Sequence, residues 1–183
     1  ERIKEIADRL MRVAAERALR HAPILEAPHS IWEAFAARFP YQETDDQLSA
    51  ISDVVGDLEA GSPMDRLIVG DVGFGKTEIA LRSAFRVAIQ GRQVAVLAPT
   101  TILAEQHAKT FQKRCEPFGL RVEMLSRYRT GAQRRAIEEG LRVGTVDIVV
   151  GTHQILGKDI EFHNLALVII DEEQWFGVKH KER

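Results

Sequence analysis

Gly70-Asp71-Val72-Gly73-Phe74-Gly75-Lys76-Thr77 matches the spacing G-x-x-x-x-G-K-[S/T] at every required position. The apolar run Leu67–Val69 precedes it and a helical pattern from Thr77 to Gln90 follows, so the order predicted is strand, loop, helix. The chemistry accounts for the spacing. Glycines let the backbone curl until successive N–H groups point inward, which suits the oxygens of a phosphate chain. The helix that follows adds the positive end of its dipole. Lys76 is then placed to reach the β- and γ-phosphates, and the Thr77 hydroxyl to ligate Mg²⁺. With glycine at about 7% of residues, a chance match somewhere in such a chain is about one in a hundred.

A second element complements the first. Leu167-Val168-Ile169-Ile170-Asp171-Glu172-Glu173-Gln174 is an apolar strand that ends in acids. Asp171, at the carboxyl edge of a buried parallel strand, is suited to hold Mg²⁺, usually through water. Glu172, the next residue, can orient and deprotonate an attacking water. ATP and Mg²⁺ are therefore the expected substrate and ion, and Lys76, Asp171 and Glu172 the expected catalytic set.

Outward from these motifs, Val94–Ala98, Val122–Leu125, Ile148–Val150 and Leu165–Ile170 are short apolar runs rich in Val and Ile. Helical patterns lie between most of them, at Thr101–Cys115 and Gly131–Arg142. Alternating strands and helices imply right-handed crossovers and a mostly parallel sheet with helices on both faces. The domain is expected to start near residue 39. Before it, Ile3, Ile6, Leu10, Val13 and Ala14 recur at helical spacing, which predicts a helix that covers an apolar face of a neighbour. His21–Ser30, with Pro23 and Pro28, reads as a linker and Ile31–Arg38 as a short helix. Residues 1–38 are thus a helical extension and 39–183 one α/β domain.

Bulk properties restrict the function. A chain of 183 residues, 45% hydrophobic and 28% charged, suits one folded domain with an appendage. Leu165–Ile170 is far too short to cross a bilayer, and no leader precedes a cleavage site. One cysteine, Cys115, permits no intrachain disulfide, consistent with a reducing cytoplasm. A net charge of −2 means that any nucleic-acid contact must be local. No Cys/His spacing suggests zinc and no Ser/His/Asp set a hydrolytic triad. The chain begins at Glu1 and stops after a polar run, and is expected to be a segment of something longer.

GDVGFGKTE (70–78), APTTILAEQH (98–107), GTHQIL (151–156) and VIIDEEQWFGVKHKER (168–183) together resemble the first, RecA-like motor lobe of superfamily 2 helicases. They resemble more closely the bacterial transcription-repair coupling factors, toward which Phe74, Ser126–Arg129 and Phe176–Arg183 lean. RecG-type fork-remodelling helicases share most of the motifs. The resemblance covers about residues 39–183. It implies an ATP-driven translocase on double-stranded DNA, a second motor lobe, and RNA polymerase and excision-repair proteins as partners through other regions. It implies no membrane. A fork-remodelling lobe and a non-motor nucleotide-binding switch are the rival readings.

The resemblance also distributes roles. Phe39 and Gln47, in the Thr44–Gln47 stretch, correspond to the adenine-recognition element. An aromatic packs there on the base, and an amide reads its edge. Gly70, Asp71, Val72, Gly73, Phe74, Gly75, Lys76 and Thr77 hold the nucleotide. Thr100 and Thr101 after one strand, and Gly151, Thr152 and His153 after another, fall where the family grips one DNA strand. Arg127 and Arg129 lie in a basic cluster with Arg121, Arg134, Arg135 and Arg142. That cluster either contacts duplex phosphates or is a solvated face balanced by Glu138 and Glu139. The box is Asp171, Glu172, Glu173 and Gln174, with Gln where the family usually has His. His107, on a helix, reads as packing or surface.

Overall fold

The computed structural model describes residues 2–71, 73–126 and 129–171. In chain order these form α1 (Arg2–Ala18), α2 (His29–Ala36), α3 (Asp45–Glu59), α4 (Lys76–Ala88), β1 (Gln93–Leu97), α5 (Thr101–Cys115), β2 (Val122–Leu125), α6 (Gly131–Val143), β3 (Ile148–Gly151) and β4 (Leu165–Ile170). Thr44, Thr100 and Thr130 start α3, α5 and α6 for one physical reason. The first N–H groups of a helix lack carbonyl partners, and each threonine hydroxyl accepts from the N–H three residues on. The chain divides into two compact units, Glu1–Glu26 with Tyr41–Ile79, and Ala27–Pro40 with Ala80–Arg183.

In the first unit, α3 presents Ile51, Val54 and Leu58 at helical spacing, all buried. The segment after α1 lies along the end of α3. The Ala22 N–H donates to the Gly61 carbonyl at 2.9 Å and the Leu25 N–H to the Leu58 carbonyl at 3.0 Å. Part of the expected linker is therefore bonded in place. On α1, Ile6 and Leu10 of the expected apolar stripe are exposed. Leu67–Val69 is a further correction: it is irregular rather than a strand, with Leu67 70% and Val69 81% exposed. An apolar triplet becomes a strand only where a neighbouring strand takes up its N–H and C=O groups, and no ladder forms there.

The second unit holds a four-stranded sheet in the order β2-β3-β1-β4. Every pairing is parallel, with Val94 opposite Ile148, and Leu97 opposite both Gly151 and Ile170. All of β1 is buried, Gln93 included. The Gln93 amide nitrogen donates to the Leu141 and Val146 carbonyls, both at 2.9 Å, and its oxygen accepts from the Asn164 N–H at 3.0 Å. One buried amide thus ties the end of α6 to the starts of β3 and β4, with both its donors used. Ala95, Leu97, Leu125, Ile137, Leu141, Val149 and Ile155 pack into one core. Val168 on β4 is 40% exposed, so this strand is less covered than a doubly buried one.

Phe35 of α2 stacks on Phe85 of α4, with ring centroids 3.9 Å apart, and Phe118 meets Phe85 edge-on at 4.9 Å. Such ring pairs add about 0.5–1.5 kcal/mol beyond area burial. Cys115 is buried nearby in the chain, and desolvation pushes its thiol up to about 12, which keeps it un-ionised at neutral pH. Phe35 is the anchor that fastens α2 to the sheet unit. Phe35→Ala should cost about 3–5 kcal/mol, read from urea unfolding. A loss below about 1 kcal/mol would show that α2 is not anchored by this ring.

Candidate functional site

The loop of residues 70–77 belongs to the first unit, and its shape is a main-chain matter. Gly73 and Gly75 sit at φ +85° and +82°, a left-handed region that costs other residues about 1–2 kcal/mol. α4 begins at Lys76, and the Glu78 N–H donates to the Gly75 carbonyl at 2.9 Å. The Lys76 ammonium turns back onto the loop, donating to the Gly70 carbonyl at 2.5 Å and the Asp71 carbonyl at 3.0 Å. The Asp71 carbonyl also accepts from the Phe74 N–H at 3.1 Å. The Phe74 ring covers Gly70, where an added Cβ would stand 2.6 Å from it. Thr77 is the second residue of α4, and Val72 lies outside the described residues.

Gln47 is buried, and both ends of its amide are engaged. Its oxygen accepts from the Thr44 N–H at 2.9 Å, while the Thr44 hydroxyl accepts from the Gln47 N–H at 3.2 Å. This reciprocal capping box starts α3. The amide nitrogen donates to the Phe74 carbonyl at 2.7 Å. An added Cβ on Gly75 would stand 2.1 Å from that nitrogen, so glycine is what lets α3 approach the loop. Arg66, on the approach to the loop, is paired with Asp57 at 2.5 Å and Asp53 at 3.4 Å of α3. The guanidinium bond holds the Asp57 carboxyl below its ordinary range.

In the second unit, the guanidinium groups of Arg82 and Arg114 each stand 5.9 Å from the ring centre of Phe39. The carboxyl ends of three adjacent strands open onto a groove of about 300 Å³, lined by Pro99, Thr100, Thr101, Ser126, Thr152, His153 and Gln154. Among the described residues, none that lines the groove is acidic. The Thr100 hydroxyl accepts from the Leu103 N–H at 3.2 Å, so the groove also receives the N-terminus of α5 and its partial positive charge. Gly151 is buried at the end of β3 rather than on the groove wall. An added Cβ would meet Ile155 Cγ2 at 2.5 Å and the Leu125 carbonyl oxygen at 2.7 Å.

Asp171 follows β4, and its N–H donates to the Leu97 carbonyl at 2.9 Å. Its Oδ2 is 2.7 Å from Nε2 of His107 on α5. An ionised carboxylate only accepts, so the proton of that bond sits on Nε2. This corrects the reading of His107 as packing or surface: its side chain is 17% exposed and spent on the acid of the box. A carboxylate has about four acceptor positions, so one imidazole bond leaves capacity for metal-bound water. Glu172, Glu173 and Gln174 of the box lie outside the described residues, as does Arg127.

Comparison with known proteins matches the model of the DEAD/DEAH box helicases over residues 44–183. The chain belongs to the DEAD/DEAH box helicase family. It is 48% identical over 99% of its length to the transcription-repair-coupling factor of Bacillus subtilis, of which it spans 15%. It is likewise 48% identical over 99% to that of Staphylococcus epidermidis, of which it spans 16%. The structure of RecG bound to a three-way DNA junction superposes with a TM-score of 0.84 at 34% identity, covering 91% of this chain and 23% of that one. These matches agree with a RecA-like first motor lobe built on a parallel sheet. Among the described residues, no helix is long and apolar enough to cross a membrane.

Within this helicase domain three arginines of the basic cluster have acidic partners. Arg121 pairs with Glu123 at 3.0 Å, Arg134 with Glu138 at 2.6 Å and Arg142 with Glu139 at 2.6 Å. Arg129 donates through Nε to the Met124 carbonyl at 3.2 Å. Ser126 and Gln154 line the groove without having been singled out from the sequence as contacts. His107 did carry a signal, since it stands seven residues, or about two turns, after Thr100. Gly151→Ala should cost about 1–3 kcal/mol by overpacking, because one of the atoms it meets belongs to the backbone of β2. Chemical denaturation measures this, and a change under about 0.5 kcal/mol would mean that the β2–β3 edge relaxes freely.

Proposed function

We propose that this helicase domain is the ATP-binding first lobe of a double-stranded DNA translocase of the transcription-repair coupling type. The observation that carries the reading is the loop of residues 70–77. Two left-handed glycines, the start of α4 and an ammonium already bonded to main-chain oxygens make a cradle that fits phosphate oxygens. Phosphates entering the cradle would take over the Lys76 ammonium from the Gly70 and Asp71 carbonyls. Phe39 would pack on adenine. Gln47 would turn its amide from the Phe74 carbonyl to the edge of the base. Thr77 and Asp171 would hold Mg²⁺, which neutralises charge developing between the β- and γ-phosphates. Glu172 would orient the attacking water and take its proton.

The groove at Thr100, Thr101, Thr152 and His153 suits one DNA strand, because hydroxyls and a helix N-terminus recognise phosphate rather than base sequence. Arg127 and Arg129 would add backbone contacts. Residues 39–183 would form the lobe and residues 1–38 its helical extension. The whole protein, in the bacterial cytoplasm, would displace stalled RNA polymerase and recruit excision repair through other regions. Identity near one half to two coupling factors over almost the whole chain supports this assignment. The RecG likeness, at 34%, supports a fork-remodelling lobe as the second reading. Duplex-stimulated ATP turnover by the two-lobe protein separates a motor from a switch. Displacement of a halted polymerase separates the two motors.

Lys76→Ala should weaken ATP or ADP binding by about 1.5–3 kcal/mol, the size of a charge-assisted hydrogen bond, read by calorimetry. Affinities equal within about twofold would remove the phosphate-loop assignment. DNA binding by the two-lobe protein should be insensitive to sequence and fall steeply with salt. Reversing charge at Arg127 and Arg129 together should flatten the dependence of log affinity on log salt by about 0.9 per lost phosphate contact. An unchanged slope would return both arginines to a solvated face.

A further inference from the structure

His107 and Thr100 stand on one helix, and each faces a different part of the machinery. Thr100 caps α5 at the groove, and Thr101 also lines it. His107, about 10 Å further along the axis at 1.5 Å per residue, holds Oδ2 of Asp171 at 2.7 Å. Asp171 therefore has two separate supports. Its backbone is set by the sheet, through the bond from its N–H to the Leu97 carbonyl. Its carboxylate is set by α5. Any tilt of α5 against the sheet changes the second support and leaves the first in place.

We propose that His107 is a positioning residue. Its Nε2–H fixes the Asp171 carboxylate for the metal-nucleotide, and α5 makes that orientation respond to what occupies the groove at Thr100 and Thr101. The inference rests on the reading of Asp171 as an Mg²⁺-holding acid and of the groove as a phosphate-backbone site. One short bond joins α5 to the sheet edge at the acid, so a shift of α5 on groove occupancy is transmitted as a change in carboxylate orientation. A donor at the Nε2 position is what the arrangement uses. In glutamine the side-chain nitrogen stands as many bonds from Cα as Nε2 does in histidine. In asparagine it is one bond shorter.

The first arm of the test measures binding of a fluorescent ADP analogue to this chain while Mg²⁺ is titrated. His107→Leu should raise the Mg²⁺ concentration for half-maximal binding about tenfold, the lower end of the loss seen when a partner of a metal ligand is removed. Binding of the analogue in EDTA should be unchanged. His107→Gln should restore the wild-type midpoint to within about threefold, and His107→Asn should not. Equal midpoints for wild type and His107→Leu, or equal loss in EDTA, would overturn the positioning role. Asp171→Asn run alongside tests the underlying reading: if its Mg²⁺ midpoint matched wild type, the metal assignment itself would fail.

The second arm follows the His107 imidazole signals and the Thr100 and Thr101 amide signals by NMR as a short DNA duplex is added. All should move with one midpoint. Amides that shift while His107 stays still would overturn the coupling and leave the groove reading standing. Amides that do not shift at saturating duplex would overturn the groove reading and the coupling with it.

Discussion

The pairing of β1 between β3 and β4, parallel on both sides, is the constraint from which the chemistry of the second unit follows. Parallel strands deliver their carboxyl ends to one edge, and it is there that Pro99–Thr101, Ser126, Thr152–Gln154 and Asp171 leave the sheet. Open parallel sheets bind ligands at that edge for the same reason. Leu97 stands opposite both Gly151 and Ile170, so the residues after three strands emerge level with one another. Gln93 secures the opposite end, where its amide ties α6, β3 and β4 at their turns. A one-residue slip there would turn every side chain to the other face.

The first unit solves a different problem, that of holding a loop whose shape comes from its backbone. Side chains cannot define the path of Gly73 and Gly75, so neighbouring groups grip the main chain. Gln47 does this from α3 through the Phe74 carbonyl, and Lys76 through those of Gly70 and Asp71. Arg66 fastens the approach to Asp57. A ligand that replaces these internal bonds with its own would find donors already gathered, which is the physical meaning of preorganisation. Gln47 is then both a helix start and a clamp, so losing it would disturb α3 and the loop together.

Much of the fold was legible because local rules and tertiary structure agree. α5 occupies the residues its periodicity indicated, and β2 and the long apolar run of β4 are where Val, Ile and Leu cluster. α3 also had its signal, a threonine followed three residues later by glutamine. Leu67–Val69 misled because three apolar residues describe a possibility of pairing, and pairing is decided by a neighbour. Ile6 and Leu10 of the α1 stripe are exposed, since amphipathicity shows that a helix has an apolar face, not what meets it. The arginine cluster looked uniformly basic along the chain, whereas Arg121, Arg134 and Arg142 are paired in space with Glu123, Glu138 and Glu139.

By itself the sequence determined the glycine spacing of residues 70–77, the alternation of strand and helix, and the apolar run of β4. Those features depend on residue type and spacing within a few residues, such as glycine's access to left-handed backbone and the periods of helix and strand. The tertiary structure alone decided that Gln47 holds the loop through Phe74, that Gly151 is required by the nearness of Leu125, and that His107 holds Asp171. Each joins residues far apart in the chain. Nothing within either local stretch encodes the distance between them, which is set only when the elements pack.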